Sequence, residues 1–202
     1  MKGLILKDFY AMRQQLRIYF IILAFWLFLA FQDNNASFFG GVTAFFSVMI
    51  PVSAIAYDEQ AHWDKYALTM PVSRTQMVVS KYLLTILCIF VCGVLSFATS
   101  CIISKNVSES VMTTLMFMSI GLFFASIIFP AIFKLGVEKG RMVLIGIAVL
   151  PTLLLTAVSK LDFPKPDPAL VERAFYLAPA VAVVVLILSI LLSVHIYKNK
   201  EF

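Results

Sequence analysis

Long stretches of apolar residues without any charge constrain this chain more than any other feature. Phe38–Ala56 and Tyr82–Ser104 contain no Asp, Glu, Lys or Arg, and similar stretches recur towards the C-terminus. A helix needs about 20 mostly apolar residues to cross the hydrocarbon core of a bilayer. The chain is 61% hydrophobic and 13% charged, whereas a soluble domain is about one-half apolar and one-quarter charged. The sequence therefore predicts an all-α integral membrane protein.

Six transmembrane helices are predicted within a single domain of residues 1–202, and a separate amphipathic helix precedes them. In residues 1–15, Leu4 and Phe9 belong to a helically spaced apolar set, and polar residues such as Lys7 and Asp8 are placed around the remaining surface. This pattern predicts a helix that lies in the membrane interface; the alternative is a simple extension of the first span. The predicted spans are residues 16–35, 38–57, 82–104, 110–133, 141–159 and 174–196, with a polar segment at 58–81.

The distribution of basic residues predicts how the chain is oriented in the membrane. With the N-terminus inside, twelve of the 16 Lys and Arg fall in inside segments and four fall outside. Loops on the cytoplasmic side carry an excess of Lys and Arg. We therefore expect a multi-pass membrane protein with both termini and residues 58–81 in the cytoplasm. The net charge of +5 reflects this topology, so no nucleic-acid partner is expected.

Several function classes leave no trace in the sequence. The predicted spans two to six contain no charged residue except at their edges, as at Arg141. Proton relays and ion-coupled transporters usually carry ionisable groups inside the membrane. The sequence has no phosphate-binding loop, zinc-protease or serine-hydrolase motif, and its three cysteines have no zinc or disulfide spacing. We therefore predict no catalytic residue, metal or cofactor, and an external source of energy for any transport.

The Tyr57–Lys81 segment combines mixed charge with aromatic side chains between two apolar spans. Its aromatic residues include Trp63 and Tyr66, and Ser73 is placed to cap the helix that follows. Such a segment suits docking onto a protein surface. The alternative is an interfacial connector whose Trp and Tyr side chains only anchor in the lipid headgroups.

The segment resembles the loop between the second and third spans of small bacterial ABC-2-type transporter permeases. The opening residues of the chain and the six-span plan are similar to that family as well, so the resemblance covers essentially the whole chain. The residues that carry it are Tyr57-Asp58-Glu59, Trp63-Asp64-Lys65-Tyr66, Leu68, Met70-Pro71-Val72-Ser73-Arg74, Val79-Ser80-Lys81-Tyr82 and, at the start, Met1-Lys2-Gly3-Leu4 with Lys7-Asp8.

This resemblance implies an ABC-2 permease of a bacterial cell membrane with the type V exporter-like architecture, in which residues 58–81 hold a coupling helix. ABC ATP-binding subunits, two per transporter, would dock there and would bind ATP and Mg²⁺ in place of any cofactor on this chain. A second permease subunit, identical or different, would complete the pore within the membrane lipids. Trp63 and Tyr66 would fill the docking groove and the charges would set the electrostatic register. The residues expected to couple to the ATPase are Tyr57, Asp58, Glu59, Trp63, Asp64, Tyr66 and Arg74.

The expected function is ATP-driven export of amphipathic or hydrophobic cargo, such as antimicrobial or cytolytic peptides. One alternative is a membrane immunity or sensor protein that transports nothing and whose loop binds another cytosolic partner. A third hypothesis is an intramembrane enzyme, which the lack of polar catalytic groups disfavours.

Overall fold

The computed structural model is all-helical in the part of the chain that it describes. That part comprises residues 2–67, 69, 73–140, 142–143, 145–146, 149 and 168–199. Five of its helices are long and apolar enough to cross a membrane. The predicted fifth span, 141–159, falls almost entirely outside the described residues. The helices are α1 (Lys2–Ala11), α2 (Arg13–Gln32), α3 (Ala36–Gln60), α4 (Trp63–Ala67), α5 (Arg74–Ser104), α6 (Val107–Leu135) and α7 (Pro168–Lys198).

The boundaries of the helices differ from the predicted spans at both ends of α2 and at the polar segment. The chain bends at Met12, so α2 begins and ends about three residues before the predicted span. Asn34 adopts a left-handed conformation, and the Asn35 side chain accepts a hydrogen bond from the Phe38 N–H to cap α3. At the polar segment, α3 and α5 continue well beyond the predicted membrane limits. The connection between them is therefore shorter than hydropathy alone predicts.

Helix α3 is the centre of the bundle. It packs against α2, α5 and α6. Of the 18 residues in its most apolar stretch, 72% are buried, whereas only 6% are buried in the corresponding stretch of α2. A close approach between α3 and α6 depends on Gly40, because a Cβ there would collide with the Phe117 ring. Helix α2 contacts α3 and α1, and most of its apolar surface faces outward.

A proline inside α6 explains how α7 is attached to the bundle. Pro130 has no N–H, so the Ser126 carbonyl lacks its usual helical donor. The Ser189 hydroxyl of α7 donates to that carbonyl at 2.6 Å. Tyr82 of α5 must then donate to Ser189 and accept from Ser193, at 2.6 and 2.8 Å, so that each of these three hydroxyls has a partner. Three helices are thus joined by one fully satisfied network.

Candidate functional site

The candidate site lies at the end of the bundle that holds α1, α4 and the C-terminus of α7, which we call the charged end. Helix α3 stops at Gln60, and His62 adopts a positive φ of 49°, which turns the chain into the short helix α4. At the start of α5, Ser73 and Gln76 form a capping box with hydrogen bonds of 3.2 Å in each direction. The predicted N-cap at Ser73 is therefore confirmed.

Four charged side chains form a closed ring of ion pairs beneath α4. Lys81 of α5 lies 2.8 Å from Asp8 and 2.6 Å from Asp58. Lys7 lies 2.6 Å from Asp58 and 3.2 Å from Asp8. Each charge therefore touches two of opposite sign, and the ring as a whole is neutral. We refer to Lys7, Asp8, Asp58 and Lys81 as the charge ring.

The charge ring is largely removed from solvent, which makes its completeness important. The Asp8 side chain is only 1% exposed, so the placement of Asp8 on the remaining surface of the N-terminal helix was wrong. Its carboxylate faces the α3–α5 contact instead, because Lys81 supplies the positive charge there. Burying a charge is costly unless it is paired and hydrogen-bonded. Since α1, α3 and α5 each contribute to the ring, separating α3 or α5 would leave Asp58 or Lys81 without its partners in the ring, and separating α1 would break two of the four ion pairs.

Trp63 and a small cavity adjoin the charge ring. The Lys7 ammonium lies 4.2 Å from the centroid of the Trp63 ring, in cation–π geometry. Trp63 is half-buried and packs against the hydrophobic core of its own chain. A cavity of about 90 Å³ lies between Trp63, the charge ring and the Tyr197 side chain of α7. Trp63 therefore fastens α4 to the ring below it.

Two further predicted site residues have partners within the chain. Glu59 Oε2 accepts a hydrogen bond of 2.7 Å from the Val137 N–H, just after Gly136 ends the α6 segment with a φ of 85°. Arg74 donates from Nη1 to the Lys198 carbonyl at 2.8 Å, at the C-terminus of α7. A cation at a helix C-terminus is favourable because the carbonyls there lack helical donors. Both contacts join the α3–α5 connection to the ends of neighbouring helices.

The remaining predicted residues point away from the bundle or are not described in full. Tyr66 on α4 is 63% exposed, and Tyr57 near the end of α3 is exposed as well. The backbone of Asp64 belongs to α4, but its side chain lies outside the described part of the structure. The structure thus brings Asp58 and Trp63 together at the charge ring and leaves the two tyrosines on the outer surface.

Sequence reasoning missed Lys7, Asp8 and Lys81 as members of the site. One signal was present: Asp58 follows a long apolar stretch and Lys81 immediately precedes the next one. When two consecutive helices run antiparallel, opposite charges near their adjoining ends can form an ion pair. Asp8 gave no such signal, because its partner is 73 residues away. Among the described residues, no group of three or more His, Cys, Asp or Glu has an arrangement that could hold a metal ion.

Comparison with known protein families identifies the chain. A family model described as an ABC-2 family transporter protein matches residues 3–198. No curated protein gives a match to this chain. Proteins of this family are typically non-catalytic membrane components, and membership implies association with an ABC ATP-binding subunit. The chain belongs to the ABC-2 family of transporter membrane proteins.

Proposed function

We propose that the chain is the permease subunit of an ATP-driven exporter in a bacterial cell membrane, and that α4 is its contact with the ATP-binding subunit. The charged end then faces the cytoplasm, together with both chain termini. The observation that carries this proposal is the position of α4. Its outer face presents Tyr66, while Trp63 on its inner side is held over the charge ring.

The charge ring supplies the mechanical link that such a function needs. A partner that closes on ATP pushes on α4, and the displacement has to reach the membrane helices. Trp63 and Lys7 connect α4 to α1, and the ring connects α1 to α3 and α5. Because separating these helices would break ion pairs between largely buried charges, they move as one body. Rigid-body movement of packed helices is a common way to transmit such a change.

Within this proposal, Trp63 positions α4, and Tyr66 is the side chain that enters the partner. Aromatic side chains in pockets often carry much of the binding energy of an interface. We assign Tyr57, which is also exposed, and Asp64 to the same contact. Asp58, Glu59 and Arg74 act indirectly, since their contacts within the chain set the position of the α3–α5 connection.

We propose amphipathic or hydrophobic cargo, such as antimicrobial or cytolytic peptides. An open groove of about 500 Å³ between α2 and α3 supports this choice. Four aromatic side chains, Trp26, Phe38, Phe45 and Phe46, contribute to its lining.

Two permease subunits and two ATP-binding subunits would form the complete transporter. The exposed apolar surface of α2 is consistent with contact to lipid or to a second permease.

The test is a pair of tyrosine substitutions in the full chain, co-expressed with its ATP-binding subunit. Tyr66→Ala should abolish co-purification of that subunit and its stimulated ATPase activity. Tyr176→Ala is the matched control, because Tyr176 is equally exposed, at 64%, but lies on α7, towards the opposite end of the bundle. Retained co-purification and ATPase stimulation in Tyr66→Ala would refute α4 as the contact.

A further inference from the structure

Buried hydroxyl groups in the half of the bundle far from the charged end differ in how they are satisfied. In a helix, a Ser or Thr hydroxyl commonly donates to a carbonyl three or four residues earlier. Thr43, Ser47 and Ser119 do this, with oxygen–oxygen distances of 2.6 to 2.8 Å. The hydroxyls of Ser96 on α5 and Thr114 on α6 have no partner among the described residues, although they are only 2% and 6% exposed.

These two hydroxyls line the same small cavity. It has a volume of about 10 Å³ and lies where α3, α5 and α6 meet. Phe117 and Met118 set the spacing of the three helices there, because each packs directly against a glycine, Gly40 and Gly93 respectively. The smaller side chains between these contacts do not fill the remaining space. Thr43, Ser47 and Cys92 complete the polar part of the lining.

The cavity matches the requirements of a single water molecule. A cavity of about 10 to 15 Å³ is the smallest that holds a water, and the water needs two to four polar partners. Ser96 and Thr114 offer two hydroxyls that need a partner, while Thr43 and Ser47 retain free acceptor lone pairs.

We propose that an ordered water molecule occupies this cavity and bridges α3, α5 and α6. Without a water, both hydroxyls would be buried with no hydrogen-bond partner, and folding would lose the full free energy of their hydration. In the Tyr82 network a protein hydroxyl, that of Ser189, satisfies the group that lacks a partner, whereas in this cavity water does so. Because water exchanges its partners as side chains shift, the three helices can slide at this point without losing their polar contacts. A third unpartnered hydroxyl, on Ser100, lies one turn further along α5 and does not line the cavity.

The first test uses two native cysteines as reporters in the unmodified chain in lipid nanodiscs. Cys88 and Cys92 lie one turn apart on α5 and are equally buried, but only Cys92 lines the cavity. X-ray radiolysis converts bound water into hydroxyl radicals that modify adjacent side chains. Cys92 should be modified several-fold faster than Cys88 and should incorporate ¹⁸O from labelled water. Equal modification of the two cysteines would overturn the proposal.

The second test uses the sign of a stability change. Thr114→Val replaces the hydroxyl with a methyl group of similar size. It should lower the unfolding midpoint and remove the excess modification of Cys92, because the water loses a partner. Ser96→Ala should lower the unfolding midpoint by less in the Thr114→Val variant than it does in the wild type. The controls are Thr99→Val and Ser119→Ala, whose hydroxyls donate within their own helices and whose effects should add. A midpoint raised by Thr114→Val would mean that the cavity is dry.

Discussion

The inner and outer faces of the Tyr57–Lys81 segment differ in what their side chains contact. Asp58 and Lys81 turn inward and complete the charge ring, and Trp63 packs above it. Tyr57 and Tyr66 belong to the same segment but face outward. Tyr57 and Asp58 are adjacent on α3, yet their side chains have different surroundings. Asp58 forms ion pairs that hold the bundle together, whereas Tyr57 is exposed and accessible to a partner.

If α4 is the contact with the ATP-binding subunit, as proposed, the two faces of this segment serve coupling by different routes. An inward residue affects coupling only through the position of the helices, so its loss should also lower stability. An outward residue should affect coupling without a change in stability. Stability and ATPase stimulation measured on the same variants therefore distinguish the two groups.

The largest effect is expected for Asp58→Asn. This substitution keeps the size of the side chain but leaves Lys7 and Lys81 with Asp8 as their only acidic partner in the ring. Removing one partner from a buried ion pair costs about 3 to 5 kcal/mol. The free energy of unfolding, measured by denaturant titration in detergent, should fall by this order. Asp33→Asn is the control, because Asp33 is exposed in the turn after α2; an equal loss in both variants would contradict the role of the ring.

A second variant tests whether charge balance, and not the contacts of Asp58 alone, sets this cost. Lys81→Met added to Asp58→Asn removes one positive and one negative charge and leaves the Lys7–Asp8 pair. Residues that share a network show non-additive effects. We expect the double variant to be more stable than the sum of the two single losses predicts. Additive losses would show that the four charges do not act as a unit.

The features that follow local rules were accessible from the sequence, and those that depend on helix packing were not. The Ser73 cap follows from a residue type at a helix start, and the membrane-spanning character of α3 and α5 follows from uninterrupted apolar residues. The pairing of Asp8 with Lys81 depends on how α1 lies across the bundle, which composition does not specify. The same holds for Ser189, whose partner becomes available only because Pro130 lies on the neighbouring helix.

A smaller effect is expected at Ser73, which is exposed but whose side chain accepts a hydrogen bond from the Gln76 N–H. Ser73→Ala removes the acceptor for the Gln76 N–H at the start of α5. The loss of an N-cap of this kind costs about 1 kcal/mol, whereas glycine at the same position costs only a few tenths. Unfolding measurements should therefore rank wild type, Ser73→Gly and Ser73→Ala in order of decreasing stability. An alanine variant as stable as wild type would show that the capping box contributes nothing to the α3–α5 connection.

The smallest change in stability is expected for Tyr57→Ala, and it gives the sharpest comparison with its neighbour. Tyr57 is 38% exposed and lies outside the charge ring, and surface substitutions away from buried networks usually change stability by less than about 0.5 kcal/mol. ATPase stimulation should nevertheless fall if the outer face is the docking surface, because the aromatic contact area is lost. Both quantities are to be measured on the preparations used for Asp58→Asn. A destabilisation as large as that of Asp58→Asn would show that Tyr57 also supports the bundle, and the division between the two faces would then be wrong.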